Sequence, residues 1–467
     1  MDSFAGHETG ARVSTLWGYP RGIFLLSFTE FWERFSYWGM MALLVLFLTA
    51  SPASGGFGWN QADALKLYGY YSGLIFTLPI AGGWLANRYW GERRCIRAGA
   101  TLVVMGHASL AAPGLLPALA RHVAVIEPSW VHRASVGFFF AGLILLVGGT
   151  GLLKPTISSI VSRFYGKNDK RRDGAFALFF LGIYLGAIVA NIVVGFIGER
   201  VSWHWGFGTA GFGMAFGLCI YRWKERDYLG EIGVAPVARP SDPRKRIRFT
   251  REERDRISVI LIQGLFTVLY AAAFYQKGGL LTLFTKDHLD RHVGAWEIPT
   301  TWLLSVSTLT FVVVSPFLAR FWARLGARGL DPSASIKLAW GLMIIGAGYL
   351  VVAHAAAARE LGQAAKPSWM WIAFTYVAFG LADALVWPNQ ISLTTKLAPR
   401  HLSALFVGGW YVTIGLGSWL TGYIGALGFV WGLRPLFLAL AASLVGLGAA
   451  LWALTPILKR RMHGAEG

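Results

Sequence analysis

The chain has 467 residues, of which 55% are hydrophobic and only 14% charged, about half the charged share of an ordinary soluble domain. Its formal net charge of +19 would suit a nucleic-acid partner, but the Lys and Arg residues are segregated into alternate loops between long apolar runs, as membrane topology requires. Composition and pattern together exclude a soluble enzyme, a nucleic-acid-binding protein and a barrel of short alternating strands.

Crossing a bilayer takes about 20 apolar residues per helix, and the sequence supplies that length repeatedly. Residues ahead of Arg21 include Glu8 and Arg12 and form no apolar core of a cleavable leader, so the first span is expected to do the targeting. Six spans are predicted over 21–49, 66–86, 95–117, 134–161, 174–198 and 203–221. A polar, basic stretch with Pro236, Pro240 and Pro243 follows, which reads as a solvated linker. Six more spans are predicted over 256–286, 299–322, 334–356, 369–397, 402–426 and 431–456. The expected organisation is an N-terminal six-helix bundle over 1–221, a cytoplasmic linker over 222–255 and a C-terminal six-helix bundle over 256–467.

Basic residues fix the expected orientation. One side collects Arg88, Arg93, Arg94 and Arg97, then Arg163, Lys167, Lys170, Arg171 and Arg172, then Arg244, Lys245, Arg246, Arg248 and Arg251 in the linker region. The same side receives Arg320, Arg324 and Arg328 and the final Lys459, Arg460 and Arg461, while the opposite loops hold only scattered cations such as Arg121, Arg133, Lys286, Arg291, Arg359 and Lys366. The positive-inside rule places both termini and the linker in the cytoplasm. Six spans, a basic linker and six more spans suggest two parallel halves built of inverted three-helix repeats.

The first span carries the most chemistry. Glu30, Glu33, Arg34 and Tyr37 recur at i, i+3, i+4 and i+7, so they form one polar stripe on an otherwise apolar helix. Ionisable groups in a membrane helix are expensive and face a bundle interior or a water-filled cavity. Lys154 and Asp383 stand similarly alone in the fourth and tenth spans.

These residues carry a specific resemblance. The run from Glu30 to Gly39, with Glu33, Arg34, Phe35 and Tyr37, resembles the E-x-x-E-R-F-x-Y-Y-G signature of the proton-dependent oligopeptide transporters of the major facilitator class, with Trp38 in place of the second Tyr. Gly149-Thr150-Gly151-Leu152-Leu153-Lys154-Pro155-Thr156 is similar to the same family's G-T-G-x-x-K-P-N-x-S. Asp383, Pro388, the run from Ser392 to Pro399 and Gly415-Leu416-Gly417 extend the likeness toward the end of the chain. A weaker loop signal, Gly82 to Arg94 and Ala319 to Gly326, resembles the major facilitator loop signature, with Asn87 where an Asp is usual.

The resemblance implies an all-α membrane fold of twelve helices in two pseudo-symmetric halves, located in the inner membrane of a bacterium and working as a monomer. It implies proton-coupled import of small peptides or peptide-like zwitterions by alternating access, without a cofactor or metal. Arg34 and Lys154 are then expected to bind the substrate's carboxylate, and Asp383 its amino end, with Glu30, Glu33 and Arg34 coupling the proton. An Arg fork takes a carboxylate bidentately and a Lys acts as a point charge. Tyr37, Trp38, Tyr184, Tyr275, Gln276 and Trp387 are expected to complete the pocket, and Lys154, Asp383 and Lys277 to serve as a gate.

The departures are informative. Phe274-Tyr275-Gln276-Lys277 has Tyr275 where the family has an acid before Gln, and Lys277 adds a cation inside the span. Tyr184 replaces a pocket Asn and Phe76 a Tyr, which predicts a bulkier, more aromatic cavity. His107, His132 and His354 sit near span edges without spaced partners, which favours a structural role over a proton relay. Cys95 and Cys219 give neither a disulfide framework nor a zinc spacing. The lack of a phosphate-binding Gly loop argues against ATP hydrolysis. Two other readings remain open: a family member carrying a non-peptide anion such as nitrate or an amino-acid conjugate, and a membrane-embedded enzyme or receptor without transport. An enzyme is disfavoured because no nucleophile or metal cluster stands out.

Overall fold

Backbone placed in lipid finds no water to bond, so an apolar segment must close its own N–H and C=O groups, and the helix is the local way to do so. The computed structural model is accordingly helical almost throughout. It describes residues 15–115, 128–165, 169, 171–236, 249–360, 365–399 and 402–465. Glu8, Arg12, Arg121, Lys167, Lys170, Arg244, Lys245, Arg246, Arg248, Pro240 and Pro243 lie outside the described residues.

The helices are α1 (Arg21–Thr49), α2 (Gln61–Thr77), α3 (Pro79–Leu85), α4 (Glu92–Ala111), α5 (Pro128–Arg163), α6 (Arg171–Arg200) and α7 (Trp203–Leu229). There follow α8 (Arg251–Phe274), α9 (Leu280–His288), α10 (Thr300–Gly326), α11 (Ala334–Glu360), α12 (Met370–Leu397), α13 (Ser403–Trp431) and α14 (Leu433–Arg461). Two antiparallel two-residue pairings, Thr15–Leu16 with Tyr19–Pro20 and His292–Val293 with Trp296–Glu297, are the strands among the described residues.

Nine helical stretches among the described residues are long and apolar enough to cross a membrane. The other three expected spans are also helical. The first is the 29-residue α1, which carries the ionisable stripe. The second divides into α2 and α3 ahead of Pro79, and the sixth is α7, whose last turns hold Arg222, Lys224, Glu225 and Arg226.

The seventh expected span differs from its sequence reading. Instead of one continuous helix, α8 ends at Phe274, a 3-10 turn runs over Tyr275–Gly278, and α9 restarts at Leu280. Gly278-Gly279 is the local cause, since paired glycines weaken a helix and tolerate unusual backbone angles.

The chain divides into two compact units. One comprises Met1–Phe47, Ser51–Gly56 and Thr77–Pro243, and the other Leu48–Ala50, Phe57–Phe76 and Arg244–Gly467. In the first unit α4 and α5 touch at facing glycines: a Cβ added at Gly99 would lie 2.6 Å from the Gly149 carbonyl oxygen. Small residues at such crossings let helices approach when lipid offers no hydrophobic drive. In the second unit the core is aromatic, with Tyr270, Tyr349, Tyr376, Phe379 and Phe437 almost wholly buried.

Candidate functional site

Each unit holds a cluster of buried charge at the positions the sequence singled out. In the first, the helical spacing of α1 brings Glu30, Glu33, Arg34 and Tyr37 onto one face, and all four are at most 5% exposed. The Arg34 Nε lies 3.3 Å from Glu30 Oε1, and the guanidinium also donates to Glu33 Oε2. The same guanidinium stands 5.0 Å from the centre of the Tyr37 ring. Glu33 Oε1 has no hydrogen-bond partner among the described residues, so the cluster keeps an acceptor in reserve.

Neighbouring helices hold this face in place. On α6, a Cβ at Gly186 would lie 3.1 Å from Arg34 Cβ and run into the Phe31 carbonyl, so only glycine allows this approach. The Ser27 hydroxyl donates to the Leu178 carbonyl at 2.9 Å, a second tie between α1 and α6. On the other side, Trp32 fills the space left by Gly213 and Gly217 of α7. Lys154 on α5, beside Pro155, lies within electrostatic reach of Arg34, Glu33 and Glu30. Tyr184 is half-buried on α6 between Gly182 and Gly186, and Trp38 is half-buried with its ring edge-on to Tyr37 at 5.1 Å.

The second unit holds Asp383 on α12. The Tyr270 hydroxyl donates to Asp383 Oδ1 at 3.4 Å, and Lys277 lies within electrostatic reach of the same carboxylate. Lys277 is only 5% exposed. Its amine donates to Ser307 Oγ at 3.3 Å and lies 3.9 Å from the centre of the Phe274 ring. Trp387 closes the group, edge-on to Tyr270 at 5.2 Å and to Phe274 at 5.9 Å. Tyr275 packs edge-on against Phe76 at 5.4 Å, so two of the aromatic departures seen in the sequence are neighbours.

The break between α8 and α9 frees carbonyls that a buried helix cannot leave unpaired. Side chains of the same unit supply the donors. Thr421 Oγ1 donates to Ala272 O at 2.9 Å, Tyr349 to Ala273 O at 2.7 Å, Tyr68 to Tyr275 O at 3.0 Å and Tyr376 to Lys277 O at 3.2 Å. Gln276 is fully buried and its Nε2 donates to Thr421 O at 3.0 Å. The expected pocket residue Gln276 is therefore engaged with backbone, and Tyr275 offers its carbonyl to Tyr68.

Thus α1 and α5 bring Glu30, Glu33, Arg34, Tyr37 and Lys154 together in one unit, and α12 and the broken span bring Asp383, Lys277 and Trp387 together in the other. Sequence reasoning missed the carbonyl-binding tyrosines and the partner of His107. That histidine, four residues before the end of α4, is fully buried and lies 2.6 Å from Ser36 Oγ on α1. Spacing within a helix does not report such contacts between helices.

Comparison with known proteins adds to this geometry. The sequence pattern of the POT family matches residues 93–228 and 244–428, more than half of the chain. A peptide transporter of Yersinia enterocolitica is 27% identical, with 97% of each chain covered. A di-/tripeptide transporter of Lactococcus lactis subsp. cremoris is 28% identical over 85% of this chain and 87% of its own length. A crystal structure of a mutant of peptide transporter POT in complex with alafosfalin aligns with a TM-score of 0.85 at 27% identity, covering 97% of both chains.

Proposed function

This chain belongs to the POT family of transporters, and on that premise we propose that it is a proton-driven symporter for small peptides or peptide-like zwitterions. It is an integral membrane transporter and not an enzyme. Twelve membrane helices in two pseudo-symmetric halves, with both termini in the cytoplasm of a bacterium, alternate access to the substrate. The bacterial relatives and the basic loops support this placement.

The observation that carries the reading is the buried group of Glu30, Glu33 and Arg34 with Lys154 in electrostatic reach. Two carboxylates already share one guanidinium. A substrate carboxylate that takes the Arg34 fork leaves a glutamate without its cation, and in so apolar a setting that group is more stable protonated than charged. Lys154 moves from the glutamates toward the substrate's carboxylate, and Asp383 moves from Lys277 toward the substrate's amino group. Peptide and proton then cross together because each removes the other's competitor.

Lys277 supports a second reading. A cation lodged beside Asp383 leaves less of that charge for a substrate ammonium, which suits an amino-acid conjugate or a simple anion such as nitrate. A thermal-shift screen of the purified chain with di- and tripeptides, N-blocked conjugates and nitrate separates the two. Stabilisation by peptides with free amino ends is the expected result. Stabilisation by conjugates or nitrate alone moves the substrate to the second reading, and a response to none of them removes both.

A further inference from the structure

At the expected cytoplasmic end of the first unit two cavities meet at Arg97. One, of 380 Å³, is lined by Arg93, Arg94, Arg97 and Arg226 with Glu225 and Glu231. The other, of 370 Å³, is lined by Trp90, Arg97, Ala98, Thr101, Leu102, Leu152 and Arg222. The first is ionic and the second, beyond its two arginines, mainly apolar.

The ionic cavity is built rather than incidental. Arg93 is 7% exposed and is fixed by donating to the Gly230 carbonyl at 2.7 Å and to the Glu225 carbonyl. Its backbone N–H donates to Gly233 O at 2.9 Å, which folds the turn after α7 over the start of α4. Glu225 Oε1 accepts from Arg97 at 2.8 Å, and Glu225 Oε2 lies 4.0 Å from Arg93. Four arginines against two glutamates leave two positive charges in excess. Arg94 and Arg226, both exposed, are free to turn toward a ligand.

The apolar groove runs from Arg97 along α4 to Leu102, about 7.5 Å at 1.5 Å per residue, in the direction the helix enters the bilayer. Trp90, 40% exposed, lies at its mouth, and Trp223, 69% exposed, stands on α7 next to Arg222, a placement that suits tryptophans at a membrane interface. A soluble anion uses only the first cavity, and a neutral chain only the second. An amphiphile uses both.

We propose that these joined cavities bind one phospholipid with an anionic headgroup, its phosphate among Arg93, Arg94, Arg97 and Arg226 and one acyl chain along Ala98, Thr101 and Leu102. Basic recesses between membrane helices on the cytoplasmic side suit such headgroups, and here the groove supplies the adjoining place for the chain. Glu225 and Glu231 set the headgroup at the arginine side of the cavity, and the lipid ties α4, α5 and α7 at the side of the bilayer that carries the negative surface potential.

Native mass spectrometry of the full chain, released from a neutral detergent, measures bound lipid directly. Phosphatidylglycerol is expected to bind roughly tenfold or more tightly than phosphatidylcholine. Glycerol phosphate, the headgroup without chains, is expected to bind far more weakly than the whole lipid. Replacing both exposed arginines, Arg94→Gln with Arg226→Gln, should weaken phosphatidylglycerol by roughly 30-fold, at about fivefold per cation. Leu102→Trp fills the groove and should weaken the lipid while leaving glycerol phosphate unchanged. Equal binding of the two phospholipids, or full binding to the double Gln variant, overturns the proposal. Glycerol phosphate binding as tightly as the lipid also overturns it, and makes the cavity a site for a soluble anion.

Discussion

The hydroxyl of Tyr68 donates a 3.0 Å hydrogen bond to the carbonyl of Tyr275, at the point where the seventh expected span is broken. A Cβ at Gly278 would lie 2.5 Å from the Tyr68 hydroxyl, so the break and the tyrosine are fitted to each other. An interrupted helix survives at membrane depth only where protein re-satisfies its freed groups. The break is therefore a supported feature of the second unit, and it sets Lys277 facing Ser307 and Phe274.

Tyr68→Phe keeps the ring and removes the donor. Losing that hydrogen bond should cost about 0.5–1.5 kcal/mol, and Tyr349→Phe, which strips the bond to Ala273 O, should cost a similar amount. Denaturant or thermal unfolding of the purified variants in one detergent reads both losses. Wild-type stability in each would mean that the tyrosines do not support the break.

Lys277→Met should change selectivity more than affinity. Without the resident ammonium, Asp383 keeps the neutral donors Tyr270 and Trp387, and the proposed function then expects it to take a substrate amino group more readily. Competition by di-alanine should improve relative to an N-acetylated or Glu-containing dipeptide, by about 1 kcal/mol or roughly fivefold in the ratio. An unchanged ratio would show that Lys277 does not compete for Asp383.

The aromatic walls predict a preference of their own. Tyr275 and Phe76, which stand where the resemblance leads one to expect an acid and a Tyr, pack edge-on, and Trp387 lies edge-on to Tyr270 and Phe274. Ring-to-ring contact is worth about 0.5–1.5 kcal/mol beyond area burial. Phe- and Trp-containing peptides should therefore compete better than di-alanine and tri-alanine, and Trp387→Ala should narrow the gap. Equal competition by all peptides, before and after the substitution, would mean that these rings do not meet the substrate.

Much of the site was legible because ionisable residues stand out against an apolar background. Glu30, Glu33 and Arg34 announced themselves by spacing, and the structure joins Glu30 to Arg34 at 3.3 Å one helical turn apart. Lys154 and Asp383 were visible as single charges in apolar spans, and each has its cluster. The ends of α1 agree with the predicted 21–49 because lipid crossing leaves a long uniform signal. The break at Tyr275–Gly278 was less legible, since the donors that support it come from Tyr68, Tyr349, Tyr376 and Thr421, far away in sequence. The partner of His107 was hidden for the same reason: Ser36 lies 71 positions away.

Proton coupling through Glu30 and Glu33 is tested most directly in proteoliposomes that hold the purified chain, with peptide uptake followed under an inward proton gradient and, separately, as counterflow without a gradient. The buried ion pairs of Arg34 with both glutamates predict that wild-type uptake rises with the gradient. Glu30→Gln and Glu33→Gln should each remove that dependence, because an amide neither takes up nor gives up a proton, while counterflow persists because Arg34, Lys154 and Asp383 are retained. Gradient-driven uptake at the wild-type level in both variants would contradict the account and place the proton's carrier elsewhere in the chain.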